Sequence, residues 1–384
     1  MSHLRICRLM ILGVLILTPG AFAATLYVGS CHAKSYSTIS AAVTAAPAGS
    51  TIDVCPGTYP EQVFITEQLT LQGITSAGGD RARIVVPANV IGGGTNWQFV
   101  TDPVTSDQVA AQVYVNSSAT TPVKITNLTI DGTGEVGAPA CGTSGWWDTV
   151  GIYAQSSVTI NEVNTVGQGQ TSCGTGIWAE QGDPAIVPSV TIEHSSVLNP
   201  SVWGIYMIAT SGLPMTVSVT SDTVETNAPA PSAGSVAMFF EGITGTISSN
   251  TFLSAGSGMW DGFTNSSLTI SSNTLASTVP LGSHNSGVLA PYPFASTDTY
   301  SSNKIVGFDY GINFQNSFAA TVTLTNNTIV NSQTAMFLDC NSVTLSGNTI
   351  DNAKVGFDEV PSGFTTTGKA SLYNVDQFVG VTCL

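Results

Sequence analysis

The sequence predicts an all-β solenoid, a single-stranded parallel β-helix, and three observations carry that prediction. A short cell recurs every 21 to 33 residues. The cells alternate apolar residues with Ser or Thr, which is the period of a strand with one buried face. Composition leaves little else. Only 9% of the 384 residues are charged, against roughly 25% in an average soluble domain, and there are 39 Gly and 18 Pro. A solvated helical protein or a coiled coil needs more charge. A nucleic-acid binder needs basic charge, and here 9 Lys and Arg face 24 Asp and Glu. Disorder is excluded by the 42% of hydrophobic residues.

Residues 1–23 read as a secretory leader. Arg5 and Arg8 form the positive end, Leu9–Leu17 the apolar run, and Ala21-Phe22-Ala23 an A-x-A cleavage site. The run is too short to span a bilayer, and no later stretch is long enough for a membrane span. Loss of the leader takes the formal charge from −15 to −17. So acidic a chain repels polyuronates and nucleic acids unless a cation bridges them. Cys7 leaves with the leader, and the remaining six cysteines suggest three disulfides in an exported chain. Pairing of sequence neighbours gives Cys31–Cys55, Cys141–Cys173 and Cys340–Cys383, one of 15 possibilities.

The next element is a short helix over Thr38–Ala46, capped by Ser37 or Thr38 and stopped by Pro47 and Gly49. Its apolar stripe (Ile39, Ala42, Val43, Ala46) suits a cover over the end of a solenoid, whose open edge otherwise invites aggregation.

The coils follow. A small–hydrophobic–aromatic cell recurs as Gly151-Ile152-Tyr153, Gly176-Ile177-Trp178, Gly204-Ile205-Tyr206, Ala237-Met238-Phe239 and Gly258-Met259-Trp260, then as Gly287-Val288-Leu289, Gly311-Ile312-Asn313 and Ala335-Met336-Phe337. Cells such as Ser157-Val158-Thr159-Ile160 and Ser267-Leu268-Thr269-Ile270 come next. Asn before a β-branched or apolar pair closes the unit, as in Asn250-Thr251-Phe252 and Asn327-Thr328-Ile329; Asn127 and Asn161 begin this series and Asp222 fills one slot. Three short strands per unit fit one triangular turn in which each strand pairs with its equivalent about 4.8 Å along the axis. A propeller blade needs about 40 residues. The recurring Asn suits both the αL bend between strands and a stack of amides along the axis.

The segment Tyr36-Ser37-Thr38-Ile39…Ala41-Ala42-Val43…Gly49-Ser50-Thr51-Ile52-Asp53-Val54…Pro56-Gly57-Thr58-Tyr59…Glu61…Val63…Ile65…Leu69-Thr70-Leu71…Gly73 resembles the opening of secreted right-handed parallel β-helix proteins of the pectin-lyase-like superfamily, pectin methylesterases among them. The resemblance implies a right-handed coil, export and a polysaccharide substrate. It does not bring a catalytic set. The mature chain's only Arg residues are Arg81 and Arg83, near its start, so the mid-coil Arg of pectin methylesterases is missing. His194 follows Glu and His284 follows Ser, unlike the Gly-His-Gly of polygalacturonases, and the aromatic column holds no basic residue that could serve as a lyase base. The resulting organisation is one domain over 24–384: 36–73 the cap and first coil, about 123–360 regular coils, and 361–384 a terminal cap.

Strand parity places the candidate site. With Ile152, Ile177 and Ile205 inward, Tyr153, Trp178, Tyr206, Phe239 and Trp260 point outward as a ladder. Two residues further on lie Gln155, Glu180, Ile208, Glu241 and Gly262, later Gln315 and Asp339. Aromatic faces beside amides and carboxylates make a groove for a glycan. Three dispositions stay open: an exposed groove, rings covered by the insertions at 131–148 and 179–189, or reversed parity with the rings inside. For hydrolysis the candidates are Glu180 and Glu241, two coils or about 9.6 Å apart against the about 6.5–9.5 Å of an inverting pair, with Asp183 and Asp261 as partners. Trp146-Trp147-Asp148 either clamps a sugar or packs its loop onto the coil. No cofactor is required; Ca²⁺ is the ion that Asp351, Asp358 and Glu359 could take, without a fixed ligand spacing. The expected function is binding, with cleavage as an extension, of a polysaccharide by an exported protein. The alternative is a non-catalytic structural or adhesive solenoid. The oligomeric state is not readable.

Overall fold

The computed structural model describes residues 22–75, 81–87, 97–134, 147–169, 173–181, 186–209, 214–226, 235–262, 266–291, 296–315, 321–338, 342–359 and 366–377. Within them the chain winds as one parallel β-helix of 33 strands in a single sheet. Every strand pairing among the described residues is parallel except that of Val100–Thr101 with the start of Gln108–Val115. Each turn visits three walls. One is the aromatic wall, for example Asp148–Ala154, Cys173–Glu180 and Trp203–Ile208. The second carries Ser and Thr outward, as in Val158–Asn161 and Ser189–Glu193. The third holds Asn164–Val166 and Ser196–Leu198.

Alternation fixes which side chains enter the coil. In Val158–Asn161 the burial runs buried, half-buried, buried, half-buried, so Val158 and Ile160 are inside while Thr159 faces out. Stacked equivalents such as Ile160, Ile192, Val219 and Ile247 form an axial row fully closed to solvent. Each such side chain contributes about 1.5–3 kcal/mol of apolar burial. The small residue of the aromatic cell has a steric cause. A Cβ on Gly176 would lie 2.2 Å from Val197 Cγ1 and 2.8 Å from the Gly204 carbonyl oxygen, because a side chain of the third wall and the backbone of the next turn both close on it.

The two jobs expected of the recurring Asn fall to different residues. The αL bend is taken by the residue before it: Ser221, Ser249, Ser272, Ser302 and Asn326 have φ of 54–60°. The buried Asn250, Asn273, Asn303, Asn327 and Asn348 form the amide stack. Asn250 Nδ2 donates to Asn273 Oδ1 at 3.0 Å and to the Val219 carbonyl at 2.9 Å, and the pattern repeats down the row. Asn127 stands in the bend position instead (φ 53°), and Asn161 closes the preceding strand.

Winding begins at Thr25–Val28, which pairs with Thr51–Val54, earlier than the cells suggested. The helix Ile39–Ala45 lies between these strands, with Thr38 as N-cap, and buries Ile39, Ala42 and Val43 in the coil's core. Glu61 accepts the N–H groups of Ile39 and Ser40 at 2.8 and 2.9 Å, closing the helix start. Cys31 and Cys55 are bridged. Cys173 is also disulfide-bonded; Cys141, Cys340 and Cys383 lie outside the described residues. At the far end, Thr366–Gln377 is a further parallel strand on Ser342–Glu359; the rest of the 361–384 segment expected as a cap lies outside the described residues. The strand leaves Tyr373 57% exposed. No helix among the described residues is long and apolar enough to cross a membrane.

Candidate functional site

The outward aromatics stand outside the coil as expected from parity. Ile152, Ile177 and Ile205 belong to the core, whereas Tyr153 and Trp178 form a separate cluster with Tyr114, Val109 and Val150. Pairing continues this ladder to seven coils: Phe64, Tyr114, Tyr153, Trp178, Tyr206, Phe239 and Trp260. Consecutive ring centroids are 4.8–6.0 Å apart, within the range in which tilted and stacked rings attract.

The ladder has a covered half and an open half. Over the N-terminal half, Val100 packs on the cluster, and the turn between Val100–Thr101 and Gln108 folds Asp102 inward. Asp102 accepts from the Val104 and Thr105 N–H groups and from Thr105 Oγ1. Tyr153 is therefore closed to solvent and Trp178 is 6% exposed. The open half begins at Tyr206. Tyr206, Phe239 and Trp260 are half-buried, and Trp203 joins them at centroid distances of 5.5, 5.2 and 6.2 Å. These four rings form a platform on the outer wall.

Beneath the cover runs a hydrogen-bonded chain. Asn116 Nδ2 donates to the Tyr114 hydroxyl (2.9 Å), which donates to Gln155 Oε1 (2.6 Å). Gln155 Nε2 donates to the Tyr153 hydroxyl (2.7 Å) and to Glu180 Oε1 (2.9 Å), and Tyr153 donates to the same Glu180 oxygen. Glu180 Oε2 receives no N–H or O–H donor, and the Asp102 carboxyl lies within hydrogen-bonding reach of the Glu180 carboxyl. Burial pushes the Glu180 carboxyl up to about 8, Asp102 adds to the effect, and the bonds from Tyr153 and Gln155 oppose it. Glu180 thus holds a proton at neutral pH. Asp148, buried near Asp107 and Asp102, is pushed up to about 7. Burial and the neighbouring Glu241 raise the Tyr206 phenol.

Of the carboxylates picked from the sequence, Glu180 and Glu241 do share one column, through Ile208. Glu241 is half-buried beside Gly262. Asp261 does not join them. It points into the coil, closed to solvent, and accepts from the Tyr300 hydroxyl at 2.9 Å; with Trp260 outward, alternation sends its neighbour inward. Asp183 and Asp339 lie outside the described residues, as does Trp146. Trp147 packs against Phe99 at 5.3 Å, near Trp97. Asp351 is engaged by Asn374 Nδ2, and the described residues contain no group of three or more His, Cys, Asp or Glu placed to hold a metal ion.

Four members were not picked out in sequence. Phe64 lies in the first coil, ahead of the recurring cells. Tyr114 was hidden because Gln112 fills the small position of its cell, yet Val113-Tyr114 aligns with Ile152-Tyr153. Trp203 precedes its cell rather than closing it. Asp102 arrives on an antiparallel hairpin, outside the repeat altogether, and carries no local signal.

No protein-family model matches the chain, and no curated protein matches its sequence. Solved structures do match. The DFA-IIIase of Arthrobacter chlorophenolicus A6, without its lid and in complex with GF2, aligns at a TM-score of 0.51 with 11% identity, over 92% of this chain and 94% of that one. The GH136 lacto-N-biosidase of Eubacterium ramulus aligns at 0.51 with 10% identity, over 92% and 67%. Pectate lyase Pel9A aligns at 0.47 with 13% identity, over 93% and 79%. At such identities the likeness is one of fold alone, the parallel β-helix.

Proposed function

We propose that this protein is exported and binds a glycan along the open half of its aromatic wall. One observation carries the reading. Trp203, Tyr206, Phe239 and Trp260 make a continuous, half-buried platform that the coil's core does not need. Sugar rings stack their C–H faces on such surfaces, while flanking polar groups take the hydroxyls. The Cys31–Cys55 disulfide supports export. The solved enzymes that share the fold include ones named for sugar-cleaving activities, which agrees with the reading at the level of fold. The test is affinity electrophoresis and calorimetry against a panel of polysaccharides. Trp260→Ala and Phe239→Ala should each weaken binding at least about tenfold, a loss in the hot-spot range of 1–2 kcal/mol, with an unchanged thermal midpoint. Unchanged binding in both would favour the structural or adhesive solenoid instead.

Cleavage is a second reading, and Glu180 is what favours it. A carboxylic acid that keeps its proton at neutral pH has the state required of a general acid. Glu241, in the same column, is its candidate base. Because Glu180 is closed to solvent, this chemistry requires the Val100–Gln108 hairpin to lift. Glu180→Gln and Glu241→Gln should each silence release of reducing sugar; an unaltered rate in either removes that residue from the mechanism.

A further inference from the structure

Beside the covered half of the ladder, where the aromatic wall turns into the next, lies a cavity of about 200 Å³. Its walls are Asn116, Ser118, Gln155, Ser156, Ile186 and Pro188, with Thr66 and Ser117 behind. The volume falls below the roughly 300–1,000 Å³ typical of drug-sized ligands, and suits one ring rather than a chain of them. The lining mixes two chemistries. Amides and hydroxyls make up most of it, and Ile186 (39% exposed) and Pro188 supply apolar surface. That is the pattern of a pyranose or furanose ring, which has hydroxyls at its edge and C–H groups on its face.

The site is built rather than incidental. Gln155 is 9% exposed and is fixed by four polar neighbours: its Oε1 accepts from Tyr114 and its Nε2 reaches Tyr153 and Glu180, with Asn116 adjoining at 3.5 Å. The same residue thus borders the cavity and touches the ladder's acid. No charged side chain lines the cavity. On their outer face the wall strands from Val63–Ile65 to Tyr310–Phe314 carry Asp148, Glu180 and Glu241 and neither Lys nor Arg. Asp102 and Asp107 face the covered half from the hairpin. A uronate carboxylate placed here would find no cationic partner on the aromatic wall, and Asp102, Asp107 and Glu241 would oppose it.

We infer that this cavity is a subsite for one neutral sugar residue, and that the wall therefore selects neutral glycans over polyuronates. The inference rests on the glycan-binding reading of the platform and names its substrate class.

The experiment measures binding of neutral hexasaccharides of glucose, mannose, galactose, xylose and fructose, and of hexagalacturonate and hexamannuronate. Four proteins are compared: wild type, Trp260→Ala, Ser118→Trp to fill the cavity, and Asn116→Ala to remove its amide. Ser118 and Asn116 are exposed, and thermal midpoints check that the variants fold. At least one neutral hexasaccharide should bind the wild type at least about tenfold more tightly than either uronate, from like-charge repulsion. Ser118→Trp and Asn116→Ala should each weaken that binding about tenfold. Uronates binding as tightly as the best neutral sugar overturn the substrate class. Wild-type affinity in both cavity variants, with Trp260→Ala impaired, overturns the subsite and leaves the platform standing. Wild-type affinity in all three variants, or no binding of any hexasaccharide in the panel, removes the platform and the subsite together.

Discussion

Replacing Asp222 by Asn should stabilise the coil by an amount that grows with pH. Asp222 stands at the head of the amide stack. Its N–H donates to Asn250 Oδ1 at 2.9 Å, and its Oδ1 accepts the Ser195 N–H at 2.7 Å, as an Asn would. The difference is at the second atom. In the rungs below, Nδ2 donates to a carbonyl of the preceding wall and to the next Oδ1. At Asp222 an oxygen, Oδ2, takes the place of that donor. Burial pushes the carboxyl from its ordinary 3.8 up to about 7; Glu193 adds to this, and the N–H groups of Ser195 and Thr220 oppose it. An acid whose pKa is raised by folding holds its proton longer in the native state. Native stability is therefore full below pH 4, falls as pH rises from about 4 to about 7, and stays low above. Three pH decades at 1.36 kcal/mol each amount to about 4 kcal/mol. Asp222→Asn removes the titration and restores two donors. Urea or guanidinium unfolding of both proteins, or unfolding rates at a fixed temperature if refolding fails, would be followed from pH 4 to pH 8. The stability difference should rise from under about 1 kcal/mol at pH 4, where the variant is near-isosteric, to about 4 kcal/mol at pH 8. A constant offset across the range, or a variant weaker at pH 8, would refute the assignment of a proton to this rung.

Other outcomes follow from the same geometry. Glu180→Gln should likewise flatten a loss of stability between about pH 4 and pH 8, because its carboxyl is also raised; denaturation midpoints against pH check this. Trp178→Ala should cost about 3–5 kcal/mol by emptying a closed site, whereas Trp260→Ala should barely move the thermal midpoint. Gly204→Ala should cost about 1–3 kcal/mol by overpacking, since its Cβ would lie 2.2 Å from Val224 Cγ1 and 2.3 Å from the Ala237 carbonyl oxygen; the unfolding free energy reports it. Cys31→Ser with Cys55→Ser opens a loop closed across 24 residues and should cost about 3 kcal/mol, read as the difference between oxidised wild type and variant.

The coil was legible because a solenoid writes its contacts into the chain at a fixed stride. Ile152, Ile177 and Ile205 announce one row, and period-two alternation then places Tyr153, Trp178 and Tyr206 on the other side of the strand. The same alternation sends Asp261 inward, so its nomination as a partner for Glu180 conflicted with the outward position given to Trp260. What could not be read is whatever leaves the repeat. The hairpin that seals Tyr153 pairs antiparallel with its neighbour, and no local pattern ties Asp102 to Glu180, 78 positions later. Exposure was hidden for the same reason: the cover decides it, and the ladder's own residues are of one kind on both halves. The amide stack was foreseen, but the bend was assigned one residue late, because Ser249 or Ser272 in αL carries a weaker compositional mark than Asn.

The two ends of the molecule differ in a way that governs how it comes apart. At one end a buried helix and a disulfide hold the first turn; at the other, a strand with Tyr373 in solvent pairs on one side only among the described residues. In a linear stack each turn leans only on the ones above and below it. Thermal fraying is therefore polar: it starts at the carboxyl-terminal turns and peels inward, like a spool unwinding from its loose end. The platform between Trp203 and Trp260 sits several turns from that end and keeps its shape while the tail unwinds.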